Sequence, residues 1–132
     1  MNTQGEAESQ IGSDFSKFYS KFGKGPKSIR VNSINSIVVV ITQNLLTTAE
    51  KSLISSDTGC KMIKDMRKGL VDSGIVELKK IVSDATGEES HNVHHDFSII
   101  DGEESFVFSL DKAPSYRLNN NGQGKSKPVW QR

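Results

Sequence analysis

The chain has 132 residues, 34% of them hydrophobic, and 17 Lys and Arg offset 16 Asp and Glu to a net +1. That size and polarity describe one small domain with polar extras rather than two domains. A single cysteine, Cys60, excludes an intrachain disulfide and a cysteine-rich zinc site, and the longest apolar run, Ile37 to Ile41, is far short of the ~18 residues of a membrane span. Residues 1–10 hold two acids, no base and no apolar segment, so no signal peptide is expected and the cytoplasm is the expected compartment.

In chain order, Ile11, Phe15, Phe18 and Phe22 recur at steps of four, three and four, the stripe of an amphipathic helix over about residues 6–22. Gly23, Gly25 and Pro26 stop it, glycine by capping and proline by breaking the hydrogen-bond ladder. A strand is expected over 29–34, a turn at Asn35-Ser36, and a second strand over 37–42 whose β-branched run suits a central position buried on both faces. These two strands form an antiparallel hairpin.

Thr47-Thr48-Ala49-Glu50 is a capping box: the Thr47 hydroxyl accepts from the Glu50 N–H and the Glu50 carboxylate accepts from the Thr47 N–H. It opens a short helix that Ser55-Ser56-Asp57 ends while capping the next. The pattern over 58–86 places Ile63, Met66, Leu70, Val71, Leu78, Val82 and Ala85 on one apolar face. Unbroken, such a helix would span ~43 Å at ~1.5 Å per residue, too long for this domain, so a break is expected near Ser73-Gly74. Gly87 ends the segment.

Residues 91–100 alternate with period two, Val93, His95 and Phe97 on one face and Asn92, His94 and Asp96 on the other. Asp101-Gly102 turns the chain into a partner strand with Phe106, Phe108 and Leu110. The order α-β-β-α-α-β-β defines an α+β sandwich, a four-stranded, largely antiparallel sheet with helices packed on at least one face. The expected organisation is a flexible N-terminus over 1–10, one domain over 11–111 and a disordered basic tail over 112–132.

Charge is segregated along the chain. Residues 112–132 carry Lys112, Arg117, Lys125, Lys127 and Arg132 and no acid, a net +5, leaving twelve bases against sixteen acids, a net −4, in the body. Residues 15–49 hold Lys17, Lys21, Lys24, Lys27 and Arg30 without an acid, and residues 81–111 hold eight acids without a Lys or Arg. Opposed basic and acidic ends steer partners or favour head-to-tail self-association. The acidic body argues against nucleic acid as its ligand, while the basic tail with Trp130 leaves that open for residues 112–132.

His91, His94, His95 and Asp96 are metal-ligand types, but strand alternation puts His94 with Asp96 on one face and His91 with His95 on the other, so at most a His-Asp pair converges. A His94–Asp96 pair would support a metal-dependent sensor or enzyme; no cofactor or metal is otherwise expected, and no catalytic set stands out. The run from Gly23 to Ser28 lacks phosphate-loop spacing and follows a helix. Cys60, near a helix start, reads as a small packing residue. A type II KH-like nucleic-acid module shares the α-β-β-α-α-β order, yet Asp57 stands where its G-x-x-G backbone grip belongs.

Gly25-Pro26, the run from Leu46 to Glu50, Gly59 and Arg67, with His94, Asp96, Phe97, Ser98, Gly102, Val107 and Phe108 in the final hairpin, form a pattern that over about residues 9–110 resembles the MpsC-like family. Asn44 departs from the family's glycine, a place where asparagine tolerates the left-handed conformation, and Gly74-Ile75 departs from a common proline. The resemblance implies a non-enzymatic, cytoplasmic accessory or regulatory protein. Its expected partner is a protein such as a subunit of a membrane ion or inorganic-carbon transport system, and it is expected to act as a homo-oligomer. The expected contact residues are Lys24, Lys27, Arg67, His94 and Asp96.

Overall fold

A computed structural model of the chain describes residues 1–23, 25–44 and 46–118. In chain order the elements are α1 (Gln4–Ser20), β1 (Ser28–Ile34), β2 (Ile37–Gln43), α2 (Thr48–Lys51), α3 (Asp57–Ser73), α4 (Ile75–Thr86), β3 (Ser90–Phe97) and β4 (Glu103–Leu110). The four strands form one fully antiparallel sheet in the order β1-β2-β4-β3. The α+β class and the antiparallel sheet agree with the sequence pattern, and the long helical segment breaks at Gly74.

Hydrophobic burial builds the fold from one side of the sheet. Ala7, Ile11, Phe15 and Phe18 of α1 and Leu78 and Val82 of α4 bury against Val38, Val40, Phe106 and Phe108. Phe15 meets Phe106 and Phe108 edge-on at 5.4 and 5.9 Å between ring centroids, the arrangement that opposes positive ring edges to negative faces. At the break between α3 and α4 the backbone runs close against α1: a β-carbon at Gly74 would lie 2.3 Å from the Phe18 ring, so glycine is required there. Gly59 is required for a similar reason, since its β-carbon would meet the Leu53 carbonyl oxygen at 1.9 Å.

Several expectations need correction. Residues 4–10 are the first turns of α1, capped by Thr3 in a box with Glu6, and Ala7 is fully buried, so the domain begins before residue 11. Phe22 lies past the end of α1 and is 48% exposed. On α3 it is Arg67 that is buried, while Met66 is exposed; the helical phase puts the guanidinium where a hydrophobic side chain was expected. A bulge between Ser90 and Asn92 resets the strand alternation, so His91 leaves the His95 face, is exposed and pairs with Asp111. Asn44 does not adopt a positive φ; among the described residues Asn35, at φ 52°, is the non-glycine residue that does.

The basic segment does not leave the body at residue 112. Tyr116 packs on the core and its hydroxyl is 2.6 Å from the Ser33 hydroxyl, while Arg117 bonds the Asn2 carbonyl through its backbone N–H at 2.8 Å and the Glu6 carboxylate at 2.8 Å. Lys125, Lys127, Trp130 and Arg132 lie outside the described residues.

β2 is central but is covered on one face only. Val38, Val40 and Thr42 are fully buried against the helices, whereas Ile37, Val39 and Ile41 are half-buried. The second face of the sheet is open among the described residues.

Candidate functional site

Glu104 is the starting point. It occupies the inward phase of β4 with Phe106, Phe108 and Leu110 and is 1% exposed. A carboxylate there must be paired or strongly hydrogen-bonded to be tolerated. Arg67 reaches it from α3, with Nη1 donating to Oε1 at 3.4 Å. The same guanidinium makes a two-pronged contact with Glu50: Nε donates to Oε2 at 2.9 Å and Nη2 to Oε1 at 2.8 Å. Parallel bonds of this kind match the planar fork of arginine to the carboxylate and fix orientation as well as charge. The Arg67 guanidinium also stands 4.9 Å from the Phe97 ring centroid, a cation–π contact.

The sheet supplies the rest. Thr42, Glu104 and Phe97 share one cross-strand row, and His95 sits one inward position further along β3. With Oε1 of Glu104 accepting from Arg67 and from the Asn44 amide at 3.1 Å, its Oε2 takes the His95 Nε2 contact at 2.7 Å as acceptor. Asn44 donates as well to the Thr42 hydroxyl at 2.7 Å. The Tyr19 hydroxyl, brought in by α1, lies beside Glu104, Thr42 and Asn44 without a hydrogen bond of normal geometry.

Electrostatics follow the geometry. Hydrogen bonds from Arg67, aided by those from Thr47, hold the Glu50 carboxyl below its usual range against the opposing effect of burial. Burial pushes Arg67 down, but its bonds to Glu50 and Glu104 outweigh that and raise it. Burial, then the Glu104 charge, pushes the Tyr19 phenol well above its ordinary value. The cluster thus ties α2, α3, β3 and β4 together at one end of the sheet through charged and hydrogen-bonded contacts. The Thr47–Glu50 capping box is intact, with Thr47 N–H to Glu50 Oε1 at 2.9 Å, so one carboxylate both caps α2 and clamps α3.

The expected contact residues are scattered. Arg67 is in the cluster, 9% exposed and fully engaged. Lys24 lies outside the described residues. Lys27 is exposed at a shallow groove between α1 and β1 that Glu8, Ser13, Ser16 and Pro26 also line. His94 and Asp96 are exposed on the open face, and among the described residues no hydrogen bond or ion pair joins them. The histidine paired to a buried carboxylate is His95 instead. Among the described residues no three His, Cys, Asp or Glu side chains converge as a metal set. Glu50, Glu104, His95, Asn44 and Tyr19 were missed as site residues; the signal that could have found two of them is phase, since Glu104 is in step with Phe106, Phe108 and Leu110 and His95 with Val93 and Phe97.

This is a small α+β domain whose helices back one face of an antiparallel sheet and are locked to it by a buried Glu–Arg–Glu–His chain. Residues 3–112 match the family described as Na+-translocating membrane potential-generating system (MpsC), and the chain belongs to that family. It is 33% identical over 109 residues to the uncharacterized protein YbcI of Bacillus subtilis (strain 168), across 82% of this chain and 88% of that protein. No solved structure matches the chain. No helix among the described residues is long and apolar enough to cross a membrane.

Proposed function

We propose that this chain is a non-enzymatic, cytoplasmic accessory or regulatory component of a membrane ion-translocating assembly, acting by binding a protein partner and working as a homo-oligomer. The observation that carries the reading is family membership over residues 3–112 in a family described by a Na+-translocating, potential-generating system. The geometry supports it in two ways. The buried Glu50, Arg67 and Glu104 bond one another and His95, which favours a structural use of them. Recognition then falls to the surface, where Leu53, Ile54, Met62 and Met66, 37 to 55% exposed, present adaptable apolar side chains on the α2–α3 region, and Lys27 offers charge at the α1–β1 groove.

The test is affinity capture of the tagged full-length chain from detergent-solubilised membranes, with mass spectrometry of what is retained. The expected result is an ion-transport subunit that is lost when Met62 and Met66 are both changed to Lys. Recovery of RNA with no membrane protein would overturn the reading.

A further inference from the structure

We propose that the open face of the sheet is the contact between two copies of this chain, stacked face to face about a two-fold axis parallel to the strands. This deepens the homo-oligomer part of the reading above by naming the surface. The centre of that face is apolar, with Ile37, Val39 and Ile41 on β2 and Val107 on β4, none of which packs into the helix-side core. A half-buried apolar strip on an uncovered sheet is the surface that sheet-on-sheet packing consumes.

Charge selects both the occupant and the axis. Strand register places Arg30, Ile41, Ser105 and Asp96 in one row across the sheet, so the row carries a base on the β1 edge and an acid on the β3 edge. A two-fold axis parallel to the strands lays β1 of one copy over β3 of the other at the same height. Arg30 then faces Asp96 twice, once at each end. In the adjacent row Asn32 faces His94 and Val39 faces Val107. An axis across the strands would instead lay the basic edge over the basic edge. Packed sheets sit ~10 Å apart, a gap that an arginine and an aspartate span together. Arg30 also contacts Glu103 within its own chain at 3.7 Å, but both side chains are well exposed and such a pair is weak.

The face is small. Four strands ~4.8 Å apart and seven residues at ~3.3 Å each give roughly 440 Å² of plane per copy, below the ~800 Å² per partner of a standard interface. The dimer is therefore reversible and must be measured across concentration.

Sedimentation of the purified full-length chain is expected to show a monomer–dimer equilibrium. Arg30→Asp and Asp96→Arg each place like charges together and should weaken it by about tenfold or more. Their equimolar mixture should restore dimers, because the acid introduced at position 30 of one copy then meets the base introduced at position 96 of the other, and the double variant should restore them too. Val39→Asp should dissociate the dimer independently of the edges, with circular dichroism checking that each variant is folded. A chain that is monomeric at all concentrations, or single charge reversals that the mixture does not rescue, would overturn the proposal while leaving the membrane partner untouched. So would an assembly that Val39→Asp leaves intact, which would assign the charges to edge-to-edge strand pairing.

Discussion

The two faces of β3 carry the same chemistry in opposite settings. Inward, His95 meets Glu104 beneath Arg67, with the three side chains between 1 and 11% exposed. Outward, His94 and Asp96 sit in water, with Arg30 two strands beyond Asp96's β4 neighbour. Inside, an ionised group is held by partners that cannot be removed singly without stranding a charge in a poor solvent. Outside, water and salt supply the alternative partner, so the same residue types contribute little to folding and are available for recognition. Burial rather than residue type decides which pair holds the fold and which can serve an interface.

The sharpest way to break that contrast is Arg67→Met. The hydrophobic length is kept, but Glu50 and Glu104 lose their shared cation, and urea unfolding should record a loss of about 3–5 kcal/mol. The same variant tests the pH dependence. Glu50 is held below its usual value, so its contribution is present above the ordinary carboxylate range and is lost as pH falls through its lowered folded value. The intact chain should therefore lose stability steeply in acid, and Arg67→Met should show a shallower acid limb; parallel limbs would count against the clamp. Next in size, Gly59→Ala should cost about 1–3 kcal/mol, because backbone at Leu53 must move for the new methyl. Thr47→Ala removes a cap whose partner is also the Arg67 clamp, and thermal unfolding should show a loss of about 1 kcal/mol.

How far the sequence reaches is clear at particular residues. Periodicity of 3.6 found α1, α3 and α4, and Thr47 with Glu50 announced the α2 cap, because those signals are local. The break at Gly74 followed from length, although what requires glycine there, the Phe18 ring, is a contact between residues 56 positions apart. The family resemblance singles out Arg67, yet nothing local says that Glu50 and Glu104, 17 and 37 residues away, converge on it. The β3 bulge was illegible too, since it inverts the facing of His91 without leaving a composition signal. The one-sided burial of β2 was hidden because a β-branched run reads alike whether its second face meets helices or another sheet.

The smallest expected effect sharpens the comparison most. His94→Ala and Asp96→Asn remove exposed side chains with no clamp to break, and each should change monomer stability by less than about 0.5 kcal/mol. His95→Ala, one residue from either, should cost several times more, because it takes a donor from Glu104 and leaves a space against the Phe106 ring, whose centroid is 4.7 Å away. Unfolding must be measured at dilution, where any dimer has dissociated, so that the outward pair reports folding alone. If His94→Ala and His95→Ala cost the same under those conditions, the division of β3 into a face that holds the fold and a face left for recognition fails.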